Sequence, residues 1–131
     1  MPDQRTHALI LFAHGARDAR WGQALEKLRE AVRLERPESR VSLAFLEFQE
    51  PTLVNALDAA AAAGCTRIDI APVFWATGGH VTNDVPPLLD RFRGKHPGVQ
   101  LTLLPVLSEL PGMTDFIASA LSTLSAPRAA D

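Results

Sequence analysis

Short apolar stretches alternate strictly with amphipathic segments along this chain, and that alternation restricts the fold more than any other feature. Residues 8–13 (ALILFA), 41–46 (VSLAFL), 67–73 (RIDIAPV) and 99–104 (VQLTLL) have the length and composition of buried strands. The first is almost continuously apolar, as a strand covered on both faces must be. In residues 21–34, Trp21, Leu25, Leu28 and Val32 recur at helical spacing, while Glu26, Lys27, Arg29, Glu30 and Arg33 occupy the other side. Residues 53–63 carry Val54, Leu57 and Ala61 at the same spacing and stop at Gly64, a suitable helix terminator. Residues 84–93 and 113–124 complete the set, each after a turn bearing proline or glycine.

The resulting order, β-α-β-α-β-α-β-α, calls for a parallel sheet, because parallel neighbours need crossovers and crossovers are almost always right-handed. The expected fold is a three-layer, doubly wound α/β domain with four parallel strands in the spatial order 2-1-3-4. At 131 residues the chain suits one domain over residues 1–124, with a frayed tail over 125–131 that holds Pro127 and small side chains.

Composition removes several function classes. A net charge of −2, with no basic stripe, gives no electrostatic case for nucleic acid. The first seven residues mix charges and polar groups, unlike a signal peptide, and no apolar run is long enough to span a bilayer, so a cytoplasmic protein is expected. The single cysteine, Cys65, follows an alanine run and a glycine, and reads as a small packed side chain.

In an open parallel sheet, ligands bind beyond the carboxyl ends of the strands, where the strand order reverses. The first strand ends in His14-Gly15-Ala16-Arg17-Asp18, the second in Glu47-Phe48-Gln49-Glu50-Pro51, and the third in Phe74-Trp75-Ala76-Thr77-Gly78-Gly79-His80. In the order 2-1-3-4 the first and third strands are neighbours, so His14 and His80 face each other across the crevice, with Glu47 on the same edge. Neutral imidazole suits cobalt, iron, nickel and zinc. Two imidazoles leave the shell incomplete, which fits a protein that takes up an ion and passes it on, and Glu47 is a candidate third ligand or proton acceptor. Each residue alone also has a structural reading. His14 is a turn residue, His80 a cap for the following helix, Glu47 a surface carboxylate, and Gly78 and Gly79 the makings of a tight turn. His7 and His96 fall at the opposite edge and are not expected to bind metal.

With those residues set out, the segments HGARDARW (14–21), AFLE (44–47) with Glu50-Pro51, and PVF (72–74) through Gly78-Gly79-His80-Val81 to Asp84-Val85-Pro86 resemble the short CbiX-type sirohydrochlorin chelatases. The likeness runs from about residue 8 to about residue 120. It implies an ATP-independent enzyme, with no nucleotide cofactor, that inserts Co2+ or Fe2+ into sirohydrochlorin for cobalamin or siroheme synthesis; Ni2+ is a further ion such a site accepts in vitro. His14 and His80 correspond to the family's metal-binding histidines, and the short forms pair as homodimers to complete the cleft. Two departures stand out: Ala16 where many relatives have Ser, and Trp75-Ala76 where many have Leu-Gly or similar.

Metallation of a tetrapyrrole removes two pyrrole N–H protons, and His14 or Glu47 is the candidate acceptor. The flat, carboxylate-rimmed substrate implies further partners. Phe48, Phe74 and Trp75 offer an apolar face, with Phe74 equally a candidate for the core, and Gly78 and Gly79 allow close approach. Arg17 and Arg20, near a helix N-terminus, can meet carboxylates, although Arg17 can equally pair with Asp18 or Glu47.

Three other readings compete. A histidine phosphatase also has His-Gly after its first strand, but carries Arg immediately before the His, where this chain has Ala13. A flavodoxin-like nucleotide-binding domain would need a glycine-rich phosphate loop, and none follows a strand. A non-enzymatic cobalt or nickel carrier or sensor would use the same histidines without needing an apolar platform.

Overall fold

The computed structural model describes residues 5–15 and 17–125; Ala16, the side chains of His80 and Val81, and residues 126–131 of the expected tail lie outside the description. The elements run β1 (His7–Ala13), α1 (Ala19–Glu35), β2 (Arg40–Phe45), α2 (Leu53–Ala62), β3 (Arg67–Pro72), α3 (Gly79–Lys95), β4 (Gln100–Leu103), a 3-10 turn (Leu107–Glu109) and α4 (Met113–Leu124). All pairings are parallel and the strand order is β2-β1-β3-β4, as expected. Ala8 of β1 sits between Arg40 of β2 and Ile68 of β3, so the carboxyl ends of these strands share one edge.

The period-two alternation of β1 divides the core between the two faces of the sheet. Ile10 and Phe12 join Ile68 and Ile70 against Leu53, Leu57 and Ala60 of α2 and Val85, Leu89 and Phe92 of α3. On the other face Leu11, Ala13, Val41 and Leu43 pack with Leu25 of α1, flanked by Trp21 and Val32. The buried stripes differ slightly from the sequence reading. Leu28 and Val54 are each 39% exposed, and α2 turns Leu53, Ala56, Leu57 and Ala60 inward instead. Cys65 is 2% exposed and sits in the α2–α3 core, as expected.

The largest difference is at α3, which begins five residues before the expected Asp84, at Gly79. Pro86 and Pro87 therefore lie in the helix interior, not in its first turn. Each proline removes one backbone donor, freeing the carbonyls of Thr82 and Asn83. Both of those residues and both prolines are exposed, so water can satisfy the carbonyls. The earlier start puts His80 in the first turn of α3, on the strands' carboxyl edge. Helix α1 likewise starts two residues early, because the Asp18 carboxylate accepts from the Arg20 backbone N–H at 2.9 Å and caps it.

Helix α4 folds where expected but buries no residue. Met113, Phe116, Ile117, Ala120, Leu121 and Leu124 form a continuous apolar stripe, and Phe116, Leu121 and Leu124 are 67%, 60% and 84% exposed. The α1 side of the sheet is also incompletely covered: Asp69 and Ala71 of β3 are only half-buried and Thr102 of β4 is exposed.

Candidate functional site

The parallel pairing of β1 and β2 continues past the ends of both strands. Leu46 N–H donates to the Ala13 carbonyl at 2.9 Å and Glu47 N–H to the His14 carbonyl at 3.0 Å. The His14-Gly15 turn is thereby fastened to the start of the Glu47–Pro51 loop. Gly15 makes the approach possible. Its φ is +86°, and a Cβ built there would lie 2.0 Å from the Glu47 carbonyl oxygen. No side chain fits in that space. His14 and Glu47 are thus neighbours through their backbones, on the edge where strand order reverses.

The His14 ring is exposed to solvent and leans on Phe74, with ring centroids 4.3 Å apart. Phe74 is 5% exposed and meets Phe12 edge-on at 5.4 Å, so an aromatic column rises from the core to the histidine. Phe74 belongs to the core and supports His14; it does not form part of an open platform. Its loop is tied to the 3-10 turn, where Leu107 N–H donates to the Phe74 carbonyl and Ser108 N–H to the Trp75 carbonyl, at 2.9 and 3.0 Å. Trp75 and Phe48 are 52% and 57% exposed.

Phe48 adopts φ +69°, a left-handed backbone that bulky residues rarely hold, and it carries the Arg17 guanidinium 4.8 Å above its ring centroid. Arg20 is already occupied. Its Nη2 lies 2.7 Å from Asp18 Oδ2, on a pair open to solvent. That hydrogen bond, followed by the one from the Arg20 backbone N–H, holds the Asp18 carboxyl below its ordinary pKa and the Arg20 guanidinium above its own. The Asp18 partner considered for Arg17 is therefore engaged by Arg20.

Gly78 is the N-cap of α3, Gly79 its first residue and His80 its second. Both the backbone N–H and the Oγ1 of Thr82 donate to the Gly78 carbonyl at 3.0 Å, closing the first turn. The assignment of His80 as a metal ligand concerns a side chain outside the described set. Among the described residues, no group of three His, Cys, Asp or Glu side chains stands close enough to hold an ion. His7 and His96 lie at the far edge. The His7 ring nitrogens sit 2.7 Å from Ser39 Oγ and 2.8 Å from Asp69 Oδ2, while His96 stacks on Phe92. The sequence reading names Gly15 without a role; the structure gives it one, the close approach to the Glu47 carbonyl.

Strand order and edge geometry define a doubly wound α/β protein with its candidate ligand site at the carboxyl ends of its strands. The chain belongs to the CbiX family, whose model matches residues 8–124. It is 38% identical over 89 residues to the sirohydrochlorin cobaltochelatase of Methanocaldococcus jannaschii, a match that covers 68% of this chain and 62% of that protein. The Methanopyrus kandleri protein of the same name is 37% identical over 82 residues, covering 63% of this chain and 57% of that protein. The matches thus span about three-fifths of these relatives' lengths. Among solved structures, the CbiX protein of Marinobacter aquaeolei, described as a cobalamin biosynthesis protein, superposes with a TM-score of 0.76 at 30% identity, covering 90% of this chain and 96% of that one. The sirohydrochlorin chelatase SirB of Bacillus subtilis subspecies spizizenii, solved in complex with cobalt, gives 0.68 at 25% identity, covering 76% of this chain and 43% of that one.

Proposed function

We propose that the protein inserts Co2+ or Fe2+ into sirohydrochlorin, without a nucleotide, in cobalamin or siroheme synthesis. The observation that carries the reading is the fastening of His14 to Glu47 at the edge of a CbiX-family fold, with His80 at the start of α3 on the same edge. In this proposal His14 and His80 hold the incoming ion, and two ligands leave it open to transfer. The macrocycle enters with two pyrrole N–H protons, which leave as the divalent ion takes the four nitrogens; Glu47 accepts one at that edge and passes it to solvent, and the other goes to water. Arg17, poised on Phe48, meets a peripheral carboxylate, and exposed Phe48 and Trp75 offer apolar faces to the ring. Arg20 has a smaller part, since a substrate carboxylate must compete with Asp18 for it.

Gly78 and Gly79 support the same reading. A Cβ at either position would meet no described atom within 4 Å, so the protein's own packing does not demand glycine there. Their missing side chains leave the backbone at the start of α3 open to the close approach of a ligand.

The reading extends to a homodimer. The uncovered apolar stripe of α4 is a surface that a second copy can cover by reciprocal packing. SirB, of which this chain covers 43%, has the length for two such units. Light scattering should give twice the chain mass, and Leu121→Glu should return it to one; a monomeric, fully active wild type contradicts the pairing. The activity itself is tested by mixing protein, sirohydrochlorin and Co2+ or Fe2+ without nucleotide and following the metallation spectrum. Insertion no faster than the spontaneous reaction with either ion defeats the proposal.

A further inference from the structure

Beyond its carboxyl end, the third strand runs on after its partner has stopped. Along β3, carbonyls on the side that faces β4 accept from it: Thr66 from the Gln100 N–H and Ile70 from the Leu104 N–H, both at 2.8 Å. Odd-numbered residues face β1, as Val73 does when its N–H donates to the Phe12 carbonyl at 2.7 Å. By that alternation the Phe74 carbonyl turns to the β4 side, yet β4 ends at Leu103. The 3-10 turn (Leu107–Glu109) stands in for the missing strand. Its Leu107 and Ser108 N–H groups donate to the Phe74 and Trp75 carbonyls at 2.9 and 3.0 Å. Phe74 is a buried residue, where a carbonyl left without a donor is costly.

The turn is itself firm. Val106, its N-cap, is buried, and the Glu109 and Leu110 N–H groups close back onto the Val106 and Leu107 carbonyls at 3.0 and 3.1 Å. Helix α3 gives the loop no comparable brace, because an opening of about 400 Å³ lies between Thr77 and Pro86 on one side and Pro105, Val106 and Glu109 on the other. Packing against Phe12 holds the Phe74 ring from below, and the turn holds its backbone. The His14 ring rests on the ring so held, 4.3 Å between centroids.

We propose that the 3-10 turn is a positioning element for the metal edge, with the Leu107 N–H as its main group: by holding the Phe74 backbone it sets where the His14 ring stands. The proposal rests on the reading of His14 as a ligand. Leu107 touches neither ion nor substrate, and no step of the reaction passes through it.

Leu107→Pro removes the donor at small conformational cost. Residue 107 opens the turn, where proline is tolerated, and Val106 already has φ −66° and ψ 165°, the extended backbone that precedes proline. Leu107→Ala keeps the N–H and removes the same half-buried side chain. Both variants are titrated with Co2+ as full chains, through the d–d absorption bands and well below their unfolding temperatures. Leu107→Pro should bind about 3- to 10-fold more weakly than Leu107→Ala, the size of effect one hydrogen bond carries, with the wild-type band shape. His14→Ala should lose more affinity and alter the bands. If the two Leu107 variants bind Co2+ equally well, whatever their unfolding temperatures, the bond is merely structural and the proposal is overturned while the site stands. If His14→Ala binds as the wild type does, the reading of the site fails, and the proposal with it. A measurement on the wild type covers the case in which Leu107→Pro does not fold. Coupling is reciprocal, so Co2+ should slow amide hydrogen exchange at Leu107 and Ser108 by a similar factor. Unchanged exchange at both amides overturns the proposal.

Discussion

Gly15→Ala separates two costs that usually come together. Gly15 and Gly64 both have positive φ, +86° and +94°, but a Cβ on Gly64 meets nothing within 4 Å whereas one on Gly15 falls 2.0 Å from the Glu47 carbonyl oxygen. Gly64→Ala therefore reports the backbone strain alone, about 1–2 kcal/mol. Gly15→Ala adds a collision. Ordinary contact begins at 3.4 Å, so the two turns must part by about 1.4 Å. That breaks the 3.0 Å bond from the Glu47 N–H to the His14 carbonyl. A broken backbone bond with a poorly satisfied partner costs a further 1–3 kcal/mol or so. Urea unfolding followed by circular dichroism measures both variants on one scale. Gly15→Ala should be the less stable by about 1–3 kcal/mol, and it alone should lose Co2+ affinity, because it displaces the turn that carries the candidate ligand His14. Two variants within about 0.5 kcal/mol of each other, binding Co2+ equally, would refute the close-approach argument.

Other consequences follow from the same geometry. Phe74→Ala should destabilise the fold by about 3–5 kcal/mol in denaturant unfolding and weaken Co2+ binding in the fraction that stays folded, since it removes both a core ring and the support of His14. The Asp18 carboxyl is held below its ordinary pKa by Arg20, first through the side-chain hydrogen bond and then through the backbone N–H. Its contribution is fully present above the ordinary carboxylate pKa and is lost as pH falls through the lowered folded value. Asp18→Asn should flatten that acid limb of a stability-versus-pH curve, and an unchanged limb would count against the cap. Cys65, 2% exposed, should react with a thiol reagent only as fast as the protein opens; prompt labelling of the native chain would contradict its burial.

The fold was largely legible because its main determinant is local. Strand and helix periodicities alternate along the chain, and handedness rules leave few ways to connect them. The start of α3 was not legible, because Gly78-Gly79 reads as a turn and prolines are normally confined to a helix's first turn. Only the solvent exposure of Thr82 and Asn83 lets the helix carry prolines in its interior. The edge residues could be named in advance, since fold logic sends His14, Glu47 and His80 to one place. Their fine arrangement could not. That Phe74 supports His14 from within the core, and that Arg17 rests on Phe48, are tertiary facts with no one-dimensional signature. The uncovered face of α4 was equally hidden, because an apolar stripe looks the same whether its partner belongs to the same chain or another.

The central claim is that two histidines at the sheet's carboxyl edge handle the metal, and the insertion rate for single-histidine variants tests it most directly. Initial rates of Co2+ insertion into sirohydrochlorin are compared for the wild type, His14→Ala, His80→Ala and His96→Ala. His14→Ala and His80→Ala should each slow insertion by about 100-fold or more, while His96→Ala runs at the wild-type rate. Equal rates in all four proteins, or equal losses in all three variants, would contradict the account.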